Sequence, residues 1–168
     1  YPAAAQGDLV VWDMAGAVEV GRIALADIVT GDGVSGVGAQ PWRFAWDDES
    51  SSDEGVVDDG LPPRLYVADA HLPTVWEVDL DPSSPASSVV EALSVPAPVH
   101  ALAVVAESED PRTYREGYHN LYIAPTDDTR VDVYDLDAEA WIDVNPRDGV
   151  VGGLDLHSPV VGLSASPL

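Results

Sequence analysis

The chain has 168 residues, 46% of them hydrophobic, so it is long enough to bury one sizeable core and too apolar for wholesale disorder. The 30 acidic residues outnumber the 7 basic ones and give a formal net charge of -23 at pH 7, which repels phosphate backbones and argues against nucleic acid and anionic membranes as partners. No cysteine is present, which excludes disulfides, thiolate catalysis and zinc–thiolate sites.

Three similar segments follow one another along the chain. Residues 1–14 read YPAAAQGDLVVWDM, residues 65–81 read LYVADAHLPTVWEVDLD, and residues 121–137 read LYIAPTDDTRVDVYDLD. The last two are 56 positions apart and share, among others, Tyr66 and Tyr122. Within each segment apolar residues alternate with polar ones and Asp, Pro and Gly punctuate them, which predicts β-strands joined by turns.

Each segment continues into a second β-rich run and then into a proline-led apolar segment. The second runs are AVEVGRIAL (17–25), SSVVEAL (87–93) and AWIDV (140–144). The proline-led segments are PWRFAW from Pro41, PVHALAV from Pro98 and PVVGLSA from Pro159. An order kept three times indicates a repeat protein.

The repeat predicts one all-β domain over residues 1–168 with three units of four short strands each. The units cover approximately residues 1–46, 65–105 and 121–166. Acidic and polar surface loops are predicted between them, at 47–64 and 106–120.

The strand LYVADA, the strand ending in VDLD and the segment PVHALAV together resemble the YVTN-type β-propeller repeat. The resemblance implies a β-propeller-like array of about three four-stranded antiparallel blades, with the proline-led strand innermost in each blade. Propellers close with typically four to eight blades, so three blades imply an incomplete ring within this chain. Further blades of the same protein, other copies of the chain or other subunits then cover its open flanks.

The innermost strand supplies the residues expected to line a central channel. Matched by their prolines, Arg43 and His100 occupy equivalent places, and both are channel-lining candidates. The small residues Ala101 and Gly162 suit the crowded next position, whereas Phe44 does not. One histidine among three units predicts a packed or solvent-facing side chain more readily than a metal ligand. We assign no catalytic residue.

Acidic side chains are the remaining candidates for chemistry. The run from residue 47 to 60 favours a solvated loop, with weak calcium capture as the alternative. The calcium candidates are Asp47, Asp48, Asp53, Glu54, Asp58 and Asp59. The run lacks the residue spacing of an EF-hand. Four further aspartates, Asp79, Asp81, Asp135 and Asp137, are expected to start turns.

These observations favour a non-catalytic, extracytoplasmic scaffold or protein-interaction subunit of a larger assembly. One alternative is part of a propeller enzyme, lactonase-like or redox-type, with active-site residues largely in blades outside this chain. A second is a calcium-assisted adhesion module. The expected partners are other protein subunits, further blades of the same protein or a second copy, and the expected setting is periplasmic, cell-surface or secreted, with high salt as a suitable medium.

No cofactor other than calcium is suggested. No apolar run approaches the roughly 18 residues of a membrane-spanning helix. Because the chain begins at Tyr1, without methionine, we expect a processed chain or the ordered part of a larger protein.

Overall fold

The computed structural model describes residues 8–25, 41–47, 64–81, 83–107, 118–126, 128–144, 146–147 and 153–164. Regular structure in these ranges consists of antiparallel β-strands and one 3-10 turn at Pro85–Ser87, which confirms the predicted all-β class. The part of the chain that the structure describes contains no helix of the length and apolarity needed to cross a membrane.

Sheet 1 is a hairpin of β1 (Asp8–Asp13) and β2 (Val18–Ala24). The turn between the strands begins at Asp13, whose side chain accepts a hydrogen bond from the Ala15 N–H at 2.9 Å. An aspartate that bonds the backbone two residues ahead is a common turn starter. A bulge between Val11 and Trp12 shifts the register near the end of β1.

Sheet 2 contains four strands in chain order: β3 (Pro41–Asp47), β4 (Arg64–Asp69), β5 (Thr74–Asp79) and β6 (Val89–Ser94). Buried Asp69 fixes the turn from β4 to β5, because its Oδ1 accepts the N–H groups of His71 and Leu72, each at 2.7 Å. The two central strands are the ones that the alternating sequence pattern predicts most clearly.

Sheet 3 contains β7 (Val99–Glu107), β8 (Tyr118–Pro125) and β9 (Arg130–Asp135), followed by two very short strands, β10 (Ala140–Trp141) and β11 (Leu154–Asp155). Both short strands pair with the same edge of β9, at its opposite ends. The strand predicted over 140–144 is therefore shorter than expected, and the fourth position of this sheet is divided between two separate segments.

Each four-position sheet starts with a proline-led strand of the sequence. β3 pairs with β4, and β7 pairs with β8, so each sheet joins the last predicted strand of one sequence unit to the first strands of the next. The third such strand, predicted from Pro159, is not formed over residues 159–164. No described strand lies beside that segment to pair with its backbone.

The three sheets pack face to face in chain order. One apolar cluster lies between sheets 1 and 2 and includes Ile23 and Trp76; a second lies between sheets 2 and 3 and includes Val75 and Leu121. A third covers the outer face of sheet 3, where residues 160–163 pack on it. Adjacent residues of β5 point into different clusters, as the period of two requires, so sheet 2 is covered on both faces.

Within the described residues the sheets have two, four and five strands, and none of them closes on itself. The order of packing places β3 and β7, the first strands of sheets 2 and 3, next to each other. The residues predicted to line a channel lie on these two strands.

Candidate functional site

The register of β3 and β7 corrects one prediction from the sequence. Pro41 pairs with Asp69, and Val99 pairs with Pro125, which is 56 positions beyond Asp69; a bulge follows each of the two pairs. Pro41 is therefore equivalent to Val99, not to Pro98. The expectation that Arg43 and His100 are equivalent is wrong by one position, because backbone pairing sets the register and the proline does not.

In the corrected register Trp42 is equivalent to His100, and Arg43 to Ala101. Phe44 is equivalent to Leu102, so the large side chain at the position of Ala101 is that of Arg43 and not that of Phe44. A bulge puts two successive side chains of a strand opposite one residue of its neighbour. Both Trp42 and Arg43 accordingly reach across to β7.

Trp42, Arg43 and His100 form one cluster where β3 and β7 begin. The Trp42 indole N–H donates to the Val99 carbonyl at 3.1 Å, and Arg43 Nε donates to the His100 carbonyl at 3.0 Å. The guanidinium carbon lies 3.9 Å from the centre of the Trp42 ring, a cation–π distance. Side chains of β3 thus satisfy carbonyls of β7, and the cluster joins sheets 2 and 3.

A second polar cluster joins the same sheets where β3 ends. The ring of His119, on β8, places Nε2 2.9 Å from Asp47 Oδ2 and Nδ1 3.3 Å from Asp137 Oδ1. Asp47 and His119 are both buried, whereas Asp137 is exposed. Of the calcium candidates, Asp47 is therefore engaged by a histidine; Asp48, Asp53, Glu54, Asp58 and Asp59 lie outside the described residues.

Both nitrogens of the His119 ring face a carboxylate oxygen. A neutral imidazole donates to one of these oxygens, and the imidazolium donates to both. Arg64 is the residue of β4 that lies opposite Asp47 of β3 in the strand register. The Arg64 guanidinium, however, lies beside two other carboxylates, 3.2 Å from Asp79 and 3.4 Å from Glu77.

The aspartate turns are partly as predicted. Asp81 Oδ1 accepts the N–H groups of Ser83 and Ser84. Hydrogen bonding, mainly from the Ser83 hydroxyl, holds the pKa of Asp81 below its usual value. Asp135 Oδ1 accepts the N–H groups of Asp137 and Ala138. Asp79 instead pairs with Arg64. Nowhere in the described ranges do three or more histidine or acidic side chains gather as metal ligands.

A cavity of about 310 Å³ opens at the divided edge of sheet 3. Arg130, Asp132 and Trp141 line it together with Pro96 and Ile142. Arg130 Nη2 donates to Asp132 Oδ2 at 3.2 Å. Arg130 Nε lies 2.8 Å from Oδ1, but its N–H is not directed at that oxygen and forms no hydrogen bond. Burial raises the pKa of Asp132, and the guanidinium acts in the opposite direction. The polar groups of the cavity are thus an ion pair with little net charge.

An open apolar groove of about 420 Å³ lies between sheet 1 and the first strand of sheet 2. Leu9, Val11, Phe44 and Leu65 contribute to its lining. Phe44 is 53% exposed, whereas its equivalent in sheet 3, Leu102, is 6% exposed. The contrast arises because β3 of sheet 2 covers Leu102, and no described strand of sheet 1 covers Phe44.

The sequence pointed to Arg43 and His100 as channel-lining residues, and this stays a prediction. It did not point to the Asp47–His119 contact, the Arg130–Asp132 pair or the exposed face of β3. No short motif marks any of these, since they depend on which strands become neighbours.

Protein-family models, curated proteins and solved structures were each compared with the chain, and none of them matches it.

Proposed function

We propose that this chain is a non-catalytic, extracytoplasmic scaffold built as three successive blades of a β-propeller-like array, and that it acts by binding other protein surfaces. The observation that carries the proposal is the repetition of one sheet-to-sheet interface. Tyr66, Ala68 and Val75 face sheet 3 from sheet 2, and their equivalents Tyr122, Ala124 and Val131 form the outer face of sheet 3.

The side chains that sheet 2 presents to sheet 3 are repeated on the outer face of sheet 3. This repetition favours the packing of a further sheet on that outer face. The outer cluster on sheet 3 is only partly covered, by Val160 and Leu163. At the other end of the stack, Val10 and Val20 are exposed on sheet 1. Exposed apolar sheet faces of this kind are typical of protein interaction sites. The strong negative charge favours a basic partner or a saline medium.

The polar clusters support a structural role more than a catalytic one. Arg43 is engaged with the Trp42 ring and a carbonyl of β7, and His119 is held by two carboxylates. Both clusters connect sheets 2 and 3 at opposite ends of β3. Their side chains are therefore used to fix the angle between neighbouring sheets, which a scaffold needs to present a defined surface.

The experiment that tests the scaffold is the native mass of the protein in gently prepared extracts of its source, followed by chemical cross-linking. We expect a native mass greater than the mass of the denatured polypeptide from the same extract, which is at least 17.7 kDa. Recovery as a lone monomer before and after cross-linking contradicts the proposal.

An activity assay addresses the enzyme alternative. Turnover of lactones or of redox dyes by the wild-type chain, abolished in Arg43→Ala and retained in Arg22→Ala, contradicts the assignment as non-catalytic. Arg22 is a suitable control because it is also exposed and lies on sheet 1, away from β3 and β7.

A further inference from the structure

Sheets 2 and 3 differ at one pair of equivalent positions. Trp76 of β5 pairs with Val67, and Asp132 of β9 pairs with Ile123, each residue of sheet 3 lying 56 positions beyond its counterpart in sheet 2. Asp132 is therefore the equivalent of Trp76. Trp76 is fully buried in the apolar cluster between sheets 1 and 2. Sheet 3 thus has a much smaller, acidic side chain where sheet 2 has a packed indole ring.

The cavity of about 310 Å³ lies where this exchange has taken place. Asp132 lines it from the face of β9 that also presents Ile123's neighbourhood to sheet 2, and Pro96 lines it from the connection between sheets 2 and 3. The cavity therefore lies between these two sheets, as the Trp76 ring lies between sheets 1 and 2. The loss of one ring from the repeat leaves room for a ring from outside the chain.

Two charged side chains form the polar part of the lining. Arg130 and Asp132 are an ion pair, so a ligand meets little net charge there. The N–H of Arg130 Nε is buried and makes no hydrogen bond within the described residues, which costs free energy that an acceptor atom on a ligand would restore. A carboxylate has about four acceptor sites, and Asp132 receives Arg130 Nη2 and the Gly153 backbone, so it can accept a further donor.

Trp141 and Ile142 form a flat apolar wall beside the ion pair. Trp141 is half-buried, and Tyr134 packs against it edge to face with the ring centres 5.1 Å apart, which fixes the orientation of the indole. The Ile142 N–H donates to the Val133 carbonyl at 2.9 Å and ties the wall to β9. A wall that is already ordered binds a flat ligand at a low cost in conformational entropy.

We propose that the cavity lined by Arg130, Asp132 and Trp141 binds a small, neutral, planar heteroaromatic molecule of one or two rings, with a ring N–H beside an acceptor atom. The ligand ring takes the place that the Trp76 indole has one sheet earlier. Its N–H donates to Asp132, and its acceptor receives the Arg130 donor. A volume of about 310 Å³ is at the lower end for small-molecule sites and suits a ligand of this size. The inference goes beyond the proposed scaffold function and does not depend on it.

The lining decides between classes of ligand. An anion would be repelled by Asp132 and by the net charge of -23. A cation brings donors only, and a purely apolar ring brings no polar atom, so either would leave the Arg130 donor unpaired. A neutral ring with one donor and one acceptor satisfies both charged side chains, and it is the class that the lining favours.

Indazole and indole are the probes for this site. They have the same shape, but indazole has an acceptor nitrogen beside its ring N–H and indole has none. In a nitrogen–proton NMR titration of the 168-residue chain, indazole should bind with a Kd of about 1 mM or tighter. The Trp141 indole signal should shift, and that of Trp42 should not. Indole should bind at least about threefold more weakly, because it leaves the Arg130 donor unpaired.

The residues of sheet 2 supply a variant that closes the site. Arg130→Thr combined with Asp132→Trp copies Thr74 and Trp76, which are the residues at the equivalent positions. The new indole fills the cavity with a ring of the chain itself, so binding of indazole should be lost. Circular dichroism verifies that the double variant is folded.

A single substitution in the wall gives an independent readout. Trp141→Leu keeps the wall apolar but removes its flat ring, and should weaken binding of indazole by about fivefold. Trp12→Leu is the matched control, since Trp12 is 54% exposed on β1 and its loss should leave the affinity unchanged.

Indazole that shifts no Trp141 signal in the millimolar range overturns the inference. Equal affinities for indazole and indole overturn the assignment of Arg130 and Asp132 as the groups that contact the ligand. A folded double variant that still binds indazole overturns the location of the site. If the double variant does not fold, equal affinities of Trp141→Leu and Trp12→Leu overturn the location instead. The scaffold function is tested separately, by the native mass.

Discussion

His119 and Asp47 lie 72 positions apart in the chain, yet Nε2 of the histidine is 2.9 Å from Oδ2 of the aspartate. One residue belongs to sheet 3 and the other to sheet 2. At the opposite end of β3, Trp42 donates to a carbonyl of β7. The interface between the two sheets is therefore fixed at both ends by polar contacts and filled between them by apolar side chains.

The first prediction concerns that buried contact. His119→Leu removes the donor from buried Asp47 and leaves its carboxylate without this partner, so we expect the free energy of unfolding to fall by about 3 kcal/mol. His71→Leu is the control, since His71 is exposed and its change is expected to stay within about 0.5 kcal/mol. Urea denaturation measures both, and equal effects of the two variants contradict the structural role of His119.

Another prediction follows from two like charges in sheet 2. Glu77 pairs directly with Glu91 across β5 and β6. Burial raises the pKa of Glu77, Arg64 partly counteracts it, and Asp79 and Glu91 add to the rise. A carboxyl whose pKa is higher in the folded state than in the unfolded state stabilises the fold at low pH. This stabilisation is lost as the pH rises above the pKa of the unfolded state.

Glu77→Gln should therefore stabilise the protein at pH 7 by roughly 0.5 kcal/mol, and the gain should vanish near pH 4. Glu91→Gln removes only the charge opposite Glu77 and should give a smaller gain. In the double variant the two gains should add to less than their sum, because either substitution removes the repulsion between the two charges. Full additivity in thermal unfolding contradicts this account.

The central strands were predictable because their signals are local. Alternating residues marked β5 and β9, and Asp81 and Asp135 started the turns expected of them. The fourth position of sheet 3 was not predicted well. AWIDV has the composition of a strand, but Pro146 follows shortly after it, and proline cannot donate to a sheet ladder.

The register of the first strands and the polar clusters could not be read from the sequence. Prolines suggested that Arg43 matches His100, but the bulges after Pro41 and Val99 decide the match. Asp47 looked like part of a solvated acidic loop because its neighbours in sequence are acidic. Its burial depends on His119 from a different sheet, which only the packing of strands brings near.

A buried hydroxyl gives a third prediction. Tyr66 is 1% exposed, and its hydroxyl makes no hydrogen bond within the described residues. Burial raises the pKa of Tyr66, and the nearby Arg64 guanidinium partly opposes this rise. The ion pairs of Arg64 are with Glu77 and Asp79, and its geometry toward the Tyr66 hydroxyl is not that of a hydrogen bond. A buried donor without a partner costs free energy.

Tyr66→Phe removes that donor and keeps the ring, so we expect an increase of about 1 kcal/mol in the free energy of unfolding. The matched control is Tyr122→Phe, at the equivalent position of sheet 3, where the side chain is half-buried and the change should be smaller. A loss of stability in Tyr66→Phe would reveal a partner for the hydroxyl and refute the prediction.

The last prediction compares two glycines of the C-terminal region. A Cβ on Gly153 would clash with the Val131 carbonyl oxygen, whereas a Cβ on Gly162 meets nothing within 4 Å. The Val131 backbone cannot retreat, because β9 is held by β8 on its other side. Gly153→Ala should therefore separate β11 from β9 and cost about 2 kcal/mol or more.

Gly162→Ala should stay within about 0.5 kcal/mol of the wild type. Chemical denaturation gives the two free energies, and hydrogen exchange at the Leu156 amide, which donates to the Thr129 carbonyl at 2.9 Å, reports whether the short strand is released. We expect faster exchange there in Gly153→Ala alone. If Gly153→Ala is as stable as Gly162→Ala and protects that amide equally, then β11 does not depend on the close approach of residue 153 to β9.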